Sequence, residues 1–147
     1  MRRAARQAAI ITSTALLASL LAPPALGDAD GWRPFANEDV IEIVTTDANG
    51  DERETKVWIV VVDGSGYVRT NDSRWLANIR RGSAVALRAR EWESRVRAEE
   101  RDDLATRDRV EEAFKEKYGV TQRLMSFFRI SEPTVLQLTL AGPSGKH

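Results

Sequence analysis

The residue types that most often carry catalysis are nearly absent from this sequence. It has no cysteine, and its single histidine, His147, is the last of 147 residues. A terminal residue is usually poorly ordered. The sequence therefore argues against a Ser-His-Asp triad, a histidine general base, a cysteine nucleophile and a zinc site built from Cys or His. Redox chemistry would have to be supplied by a bound cofactor.

Two further segments have the composition of a ligand site without its spacing. Residues 63–66 (Asp-Gly-Ser-Gly) are rich in glycine, but no Gly-Lys-Ser/Thr follows them, so they predict a hairpin turn and not a phosphate loop. Four acidic residues between positions 99 and 103 lack the alternating ligands and internal glycine of a calcium loop. They predict a solvated turn, and no metal site is expected.

The first 27 residues have the pattern of a secretory signal peptide. Arg2, Arg3 and Arg6 precede an uncharged stretch from Ala8 to Ala22, and small residues follow it. The alternative is an uncleaved anchor, but the stretch is short for a membrane span. We expect an exported protein, secreted or held in the cell envelope. Its single domain would be residues 28–147, with no stable membrane span after cleavage.

The charge of the expected mature chain limits its partners. All 22 acidic residues follow position 27, whereas three of the 22 basic residues precede it. The mature chain would carry a small net negative charge. General nucleic-acid binding needs a basic surface, so it is not expected.

The chain is organised around the stretch from Lys56 to Gly82. The apolar run 57–62 predicts a strand buried on both faces, and residues 67–70 predict the outgoing strand of a hairpin. Residues 71–73 (Asn-Asp-Ser) supply capping side chains for a short amphipathic helix that ends at Gly82.

Alternation and capping predict the remaining elements. Strands are expected at 40–46, 84–90, 93–99 and 134–140, with a turn beginning at residues 91–92. A helix is expected at 104–118, capped by Asp102 or Asp103, with a buried stripe of Leu104, Val110, Ala113, Phe114 and Tyr118. We also expect a lead-in at 28–37 in which Trp32 and Phe35 pack on the body, a helical turn at 121–128 and a loose tail from 141. This order predicts a mainly β (α+β) fold, a six-stranded antiparallel barrel with two or three helices.

The motifs, taken in order, resemble a known class. DVIEIVTT, VWIVVVDG, YVRT, a helix with Trp75, EKYG at 116–119 and EPTVLQLTL at 132–140 resemble the split β-barrel class of pyridoxamine 5′-phosphate oxidase-like, FMN-binding proteins. Deazaflavin-dependent nitroreductases share that barrel. The pattern is most similar to a bacterial family of this class with undefined function, and the resemblance covers about residues 32–140.

The resemblance implies a cofactor site, a partner and an activity. The phosphate of FMN or a deazaflavin would lie near Arg69, Thr70, Ser73 and Arg74, where hydroxyls, guanidinium groups and a helix start can bind it. Lys56, Val57 and Trp58 would lie along the flavin ring. The implied protein is a homodimeric flavin-type oxidoreductase of unknown substrate.

The residues themselves leave an alternative open. Each arginine can be a solvated surface residue, Ser73 a plain helix cap, Lys56 solvent-facing and the tryptophans core residues. Asp72 would compete with a phosphate for the N–H groups at the helix start. The predicted export signal also departs from the class, most of whose members are expected in the cytoplasm, and the sequence lacks the full set of basic residues found in FMN-binding members. The second hypothesis is a cofactor-free binding or structural module on the same barrel.

Overall fold

A computed structural model describes residues 27–119 and 132–146, with the side chains of 27–29 left aside. These residues form three helices and seven strands. They are α1 (Gly27–Ala36), β1 (Val40–Thr46), β2 (Glu52–Val62), β3 (Ser65–Thr70), α2 (Arg74–Arg80), β4 (Val85–Ala89), β5 (Trp92–Arg101), α3 (Leu104–Tyr118), β6 (Thr134–Leu140) and β7 (Gly145–Lys146).

The strands form a closed antiparallel barrel. Their order is β4-β1-β2-β3-β6-β5-β7, and β4 also pairs with β5, so the six longer strands close on themselves. All the pairings are antiparallel. This confirms the predicted mainly β fold, a six-stranded antiparallel split barrel, and the described residues contain three helices.

Alternate residues of the strands fill the barrel interior. Because side chains on a strand point to opposite faces in turn, each strand sends every second residue inward. The resulting core includes the nearly inaccessible side chains of Ile43, Ile59, Val68, Leu87 and Leu136. In β5, Ser94 and Val96 are two such inward-facing residues, and both are buried.

The segment before β1, which we predicted only as a lead-in, is a helix. Gly31 and Pro34 lie inside α1, and both residue types disfavour a helix. Trp32 and Phe35 lie three residues apart on one helix face, and both are buried in the barrel core as expected. Their burial outweighs the poor local propensity, and α1 packs against β2, β3, β4 and β6.

The β2–β3 hairpin is tied to α1 by close packing. Asp63 and Gly64 both have positive φ, as the tight two-residue turn requires. The indole N–H of Trp32 donates a hydrogen bond to the carbonyl of Gly64 at 2.9 Å. A Cβ on Gly66 would lie 2.5 Å from the Trp32 ring. The predicted hairpin is confirmed. The indole of Trp32 can pack this close to β3 because Gly66 has no side chain.

The prediction that residues 57–62 of β2 are buried on both faces is wrong. It begins at Glu52, and on its outer face Lys56 and Trp58 are exposed whereas Val60 is buried. Helix α3 covers Val60 and forms with it a second, smaller core. The apolar sequence of this strand does not show which part of its outer face a helix covers and which part stays exposed.

Helix α3 has the predicted bounds and one wrongly predicted core residue. Asp103 is its N-cap and accepts a hydrogen bond from the Thr106 N–H at 3.0 Å. Leu104 is 74% exposed and not buried. It lies about 200° around the helix from Thr106, on the face opposite the buried one. Thr106, Val110 and Phe114 are the buried positions. The second core consists of Val60, Tyr67, Val110, Phe114 and Val135.

Other boundaries follow the sequence with two corrections. Trp92 begins β5 and does not start a turn. The tail predicted to be loose contains β7, which pairs with Trp92 and Glu93 of β5. The helical turn predicted at 121–128 lies outside the described residues. No helix among those described combines the length and apolar character needed to cross a membrane.

Candidate functional site

The candidate site is a cleft on the outer face of the barrel. Its volume is about 640 Å³, within the range typical of small-molecule sites. Its walls are the outer face of β2, the end of β3, the loop that enters α2, and α3. The lining residues are Val40, Lys56, Val57, Trp58, Arg69, Thr70, Asn71, Asp72, Ser73, Trp75 and Phe114.

Six of the seven residues predicted from the sequence meet in this cleft. Lys56, Val57 and Trp58 enter from β2, whereas Arg69, Thr70 and Ser73 enter from β3 and the following loop. The seventh, Arg74, lines a separate depression of about 350 Å³ on another side of α2. Successive helix residues are rotated by about 100°, so neighbours such as Ser73 and Arg74 are directed to different surfaces.

The apolar part of the cleft is unusually open for such residues. Trp58 is 37% exposed, and its cross-strand partner Val40 is 44% exposed. Trp75, by contrast, is buried and contributes to the cleft wall from the first turn of α2. An accessible indole beside an exposed valine offers a planar apolar surface to a ligand.

Three aromatic rings and one guanidinium group form a continuous stack behind this surface. The rings of Trp58 and Tyr118 stack with centroids 5.4 Å apart, and those of Tyr118 and Phe114 with centroids 5.6 Å apart. The guanidinium carbon of Arg69 lies 4.1 Å from the Phe114 ring centroid. The stack links α3 to β2 and β3, and it holds Trp58 and Arg69 in fixed positions at the cleft.

Tyr118 and Lys117 anchor the end of α3 to the β2 backbone. The Tyr118 hydroxyl accepts a hydrogen bond from the Ile59 N–H at 3.1 Å and donates one to the Asp39 carbonyl at 2.7 Å. Burial raises the pKa of Tyr118 to about 12, so the hydroxyl keeps its proton at neutral pH. Lys117 Nζ donates to the carbonyls of Glu38 and Ile59, and burial lowers its pKa.

Arg69 supplies a partly buried positive charge at the cleft. Its side chain comes from the outgoing strand of the hairpin, next to Thr70. Burial lowers the pKa of Arg69, while the carboxylate of Glu111 acts in the opposite direction. Arginine has so high an intrinsic pKa that the group stays charged. A cation with restricted access to water attracts an anion more strongly than a solvated one does.

The hydroxyl groups predicted to bind phosphate have local partners. Thr70 Oγ1 lies 2.8 Å from the Asn71 carbonyl and 3.1 Å from Ser73 Oγ. Ser73 is the N-cap of α2 and accepts a hydrogen bond from the Leu76 N–H at 3.3 Å. Asp72 also lines the cleft. A ligand phosphate at this point would have to share these hydroxyls and lie close to a carboxylate.

Sequence reasoning missed Phe114 as a wall of the site, because it placed this residue only in the buried stripe of α3. The four-residue spacing of Phe114 and Tyr118 predicts that they share a helix face. Nothing in the sequence says that this face packs beside Trp58 and Arg69. The described residues contain no group of three or more His, Cys, Asp or Glu side chains arranged to hold a metal ion.

Solved structures with this barrel include proteins described by their cofactors. HutZ, the haem storage protein from Vibrio cholerae, aligns at 12% identity over 82% of this chain and 94% of its own, with a TM-score of 0.63. A FAD-binding protein from Mesorhizobium loti aligns at 11% identity over 81% and 91%, with a TM-score of 0.59. At sequence identities this low, the TM-scores show that these proteins share the fold of this chain and nothing more.

The resemblance to pyridoxamine 5′-phosphate oxidase-like split barrels is confirmed at the level of the fold. A putative pyridoxamine 5′-phosphate oxidase from Lactobacillus delbrueckii aligns at 20% identity over 79% of this chain and 90% of its own, with a TM-score of 0.54. Campylobacter jejuni ChuZ gives a TM-score of 0.64 at 12% identity over 77% of this chain, which spans 52% of the ChuZ chain.

Sequence comparison places the chain in a family without assigning it an activity. No curated protein sequence matches it at a significant level. One family matches residues 33–139, which include β1 to β5, all but the last residue of β6, α2, α3 and the whole lining of the cleft. The chain belongs to the family described as "Uncharacterized protein conserved in bacteria (DUF2255)".

Proposed function

We propose that the protein binds a flavin-type cofactor, FMN or a deazaflavin, in the cleft beside β2 and acts as an oxidoreductase when loaded. The observation that carries this proposal is the pairing of an accessible aromatic wall with two cations in one cleft. Trp58 supplies the wall, and Lys56 and Arg69 supply the charges. Flavin cofactors combine a planar aromatic ring with anionic groups, so the residue types fit.

The chain's own residues would bind and orient the ring. Trp58 is held by its stack on Tyr118 and offers an aromatic surface to the ring without rearranging. Lys56 and the backbone of β2 lie beside it with donors for a polar ring edge. Arg69 lies on the β3 side of the cleft and would attract the anionic part of the cofactor. The bound flavin would itself supply hydride transfer.

A flavin suits this cleft better than a haem does. Haem iron in proteins is held by an axial His, Cys, Met or Tyr. Within the part of the chain that the structure describes, the residues that line the cleft include none of these types. Their aromatic and cationic character requires only stacking and electrostatic attraction from the ligand.

The decisive experiment is a titration of the purified protein with FMN and, separately, with a deazaflavin, followed by visible absorbance. We expect saturable binding of at least one of them. The double variant Lys56→Gln/Arg69→Gln should lose it, whereas Arg97→Gln should retain it, because Arg97 is an exposed residue of β5 outside the cleft. If neither cofactor binds to the folded wild-type protein, the proposal is wrong.

One observation favours a cofactor-free binding or structural module as the second candidate. Asp72 lies in the cleft, and the hydroxyls of Thr70 and Ser73 already bond to nearby groups. An apolar ligand without a phosphate would meet no repulsion from Asp72. Failure of wild type to bind a flavin, together with a gain of binding in Asp72→Asn, would identify this carboxylate as the reason for a lost site.

Two further proposals concern the state of the protein in the cell. We propose that it is exported with cleavage before Asp28, and that it forms a homodimer, as the resemblance implies. Mass spectrometry of the protein from its native host should give a chain that starts at residue 28. Light scattering at micromolar concentration should give twice the chain mass. Retention of residues 1–27 would contradict the first proposal, and a monomeric mass the second.

A further inference from the structure

A second depression lies on the other side of α2, against the turn between β1 and β2. Its volume is about 350 Å³. Three of its residues belong to the turn and four to α2 or its C-cap. They are Asp47, Ala48, Asn49, Arg74, Ala77, Asn78 and Arg81. None of them lines the cleft beside β2.

Two arginines line this depression, Arg74 in the first turn of α2 and Arg81 at its C-cap. Arg74 and Arg81 are seven residues apart, or two helical turns, so they lie on the same side of α2. Asn78 lies between them on that side and is 2% exposed. Arg81 Nη2 donates a hydrogen bond to Asn78 Oδ1 at 2.8 Å, so a buried side chain holds one guanidinium group in place.

The carboxylate in the depression is already engaged. Asp47 accepts a bidentate pair of hydrogen bonds from Arg53, at 2.8 Å from Nε and 2.7 Å from Nη2. It also accepts a bond from Asn78 Nδ2 at 2.7 Å. Arg53 therefore compensates the charge of Asp47, and Asn78 links this ion pair to Arg81.

The remaining charges leave the depression positive. Asp51 adds one negative charge next to Asn49, which donates a hydrogen bond to it at 2.7 Å. The charged groups of the depression are Arg74, Arg81 and Asp47. Arg53 and Asp51, which bond to its lining residues, bring the balance to three arginines and two carboxylates. Arg74 is exposed and makes no hydrogen bond or ion pair within the described residues. Its guanidinium group has donors available, and the field of Arg81 adds to its own.

We propose that this depression is a binding site for the oxyanion group of a small molecule, a phosphate monoester or a carboxylate, held between Arg74 and Arg81. Guanidinium groups bind both kinds of oxyanion through paired hydrogen bonds. Arg81 is positioned by Asn78 before the ligand arrives, which reduces the cost of ordering it. The site goes beyond the flavin proposal and does not depend on it.

The test is calorimetric titration of the full protein with inorganic phosphate and, separately, with succinate, in a buffer free of both and without added flavin. We expect saturable binding of one of these probes. Arg74→Gln should weaken it by about tenfold or more, as loss of a charge-assisted contact does. The matched control Arg97→Gln removes an equal charge from an exposed position of β5 and should leave binding unchanged.

The outcomes separate this inference from the flavin proposal. Binding of phosphate alone supports a phosphate monoester, and binding of succinate alone supports a carboxylate ligand. Absence of saturable binding by both probes overturns the inference, as does an equal loss in Arg97→Gln. Loss of flavin binding in Arg74→Gln would assign Arg74 to the cofactor site and would overturn a separate oxyanion site.

Discussion

The two faces of β2 differ in how completely the rest of the protein covers them. On the inner face, Val57 and Ile59 pack with Trp32 in the main core, where Trp32 is 1% exposed. On the outer face, α3 covers Val60 but leaves Trp58 37% exposed at the cleft. One strand thus contributes to a sealed interior and to an open aromatic wall. The extent of α3, and not the composition of β2, decides where the apolar surface becomes available to a ligand.

Trp32→Ala should have the largest effect on stability. It would leave a cavity in the main core and remove the hydrogen bond to Gly64, at a cost of about 3–5 kcal/mol in free energy of unfolding. Urea denaturation followed by circular dichroism measures this. A loss no greater than that of Trp58→Ala would break the distinction between the two faces.

Phe114→Leu should have an intermediate effect, because Phe114 belongs both to the second core and to the cleft wall. The variant keeps an apolar side chain but loses the stack on Tyr118 and the contact with Arg69. We expect a loss of about 1–2 kcal/mol in stability. We also expect weaker binding of FMN or the deazaflavin in the same titrations, whereas Leu104→Ala, at an exposed position of the same helix, should change neither.

Trp58→Ala should have a small effect on stability and a large one on binding. Its indole is already partly in water, so we expect a loss of about 1 kcal/mol. The same change removes the proposed stacking surface, and saturable flavin binding should disappear. Trp58→Phe, which keeps an aromatic face, should retain part of the affinity. Unchanged binding by the alanine variant would move the ligand away from β2.

The smallest predicted effect is on the stability of the protein at acid pH, through the helix cap Asp103. The hydrogen bonds from Thr106 hold the pKa of the Asp103 carboxyl at about 2, below its usual 3.8. Because the folded state favours the charged form, this contribution is present above pH 4 and is lost as the pH falls toward 2. Asp103→Asn keeps a capping side chain without a titrating group.

Urea midpoints at neutral pH and between pH 4 and 2 provide the measurement. The variant should lose less stability than wild type as the pH falls through this range. The buried polar side chains in the described residues are Thr45, Asn78, Ser94 and Thr106, and none of them titrates. Acid should therefore loosen α3 before it affects the barrel interior. An identical pH dependence in wild type and variant would contradict this.

Local signals made most of the fold predictable. The caps Ser73 and Asp103 and the positive-φ position Gly82 mark helix ends, and alternation marks the strands. Helix α1 escaped prediction because its stability comes from the burial of Trp32 and Phe35 and not from its propensity. The strand β7 escaped because two residues carry no periodicity and form a strand only through pairing with β5.

The candidate site was predictable where neighbouring residues determine it and not where helix docking does. Lys56, Trp58 and Arg69 follow from the hairpin and the resemblance, and they meet in one cleft. Phe114 could not be placed there, because its position depends on how α3 packs across the sheet. Arg74 was grouped with Ser73 by sequence proximity, whereas the rotation of α2 separates the two.

The place of β6 in the sheet has a consequence for the order of folding. It lies between β3, which ends at Thr70, and β5, although it begins only at Thr134. A growing chain can form the β1–β2–β3 meander early, but β3 lacks one neighbour until the last long strand has been synthesised. Contacts between such distant segments slow folding. An emerging chain therefore exposes two unsatisfied strand edges until nearly its whole length is available, and its release or transport in that interval favours association with other chains.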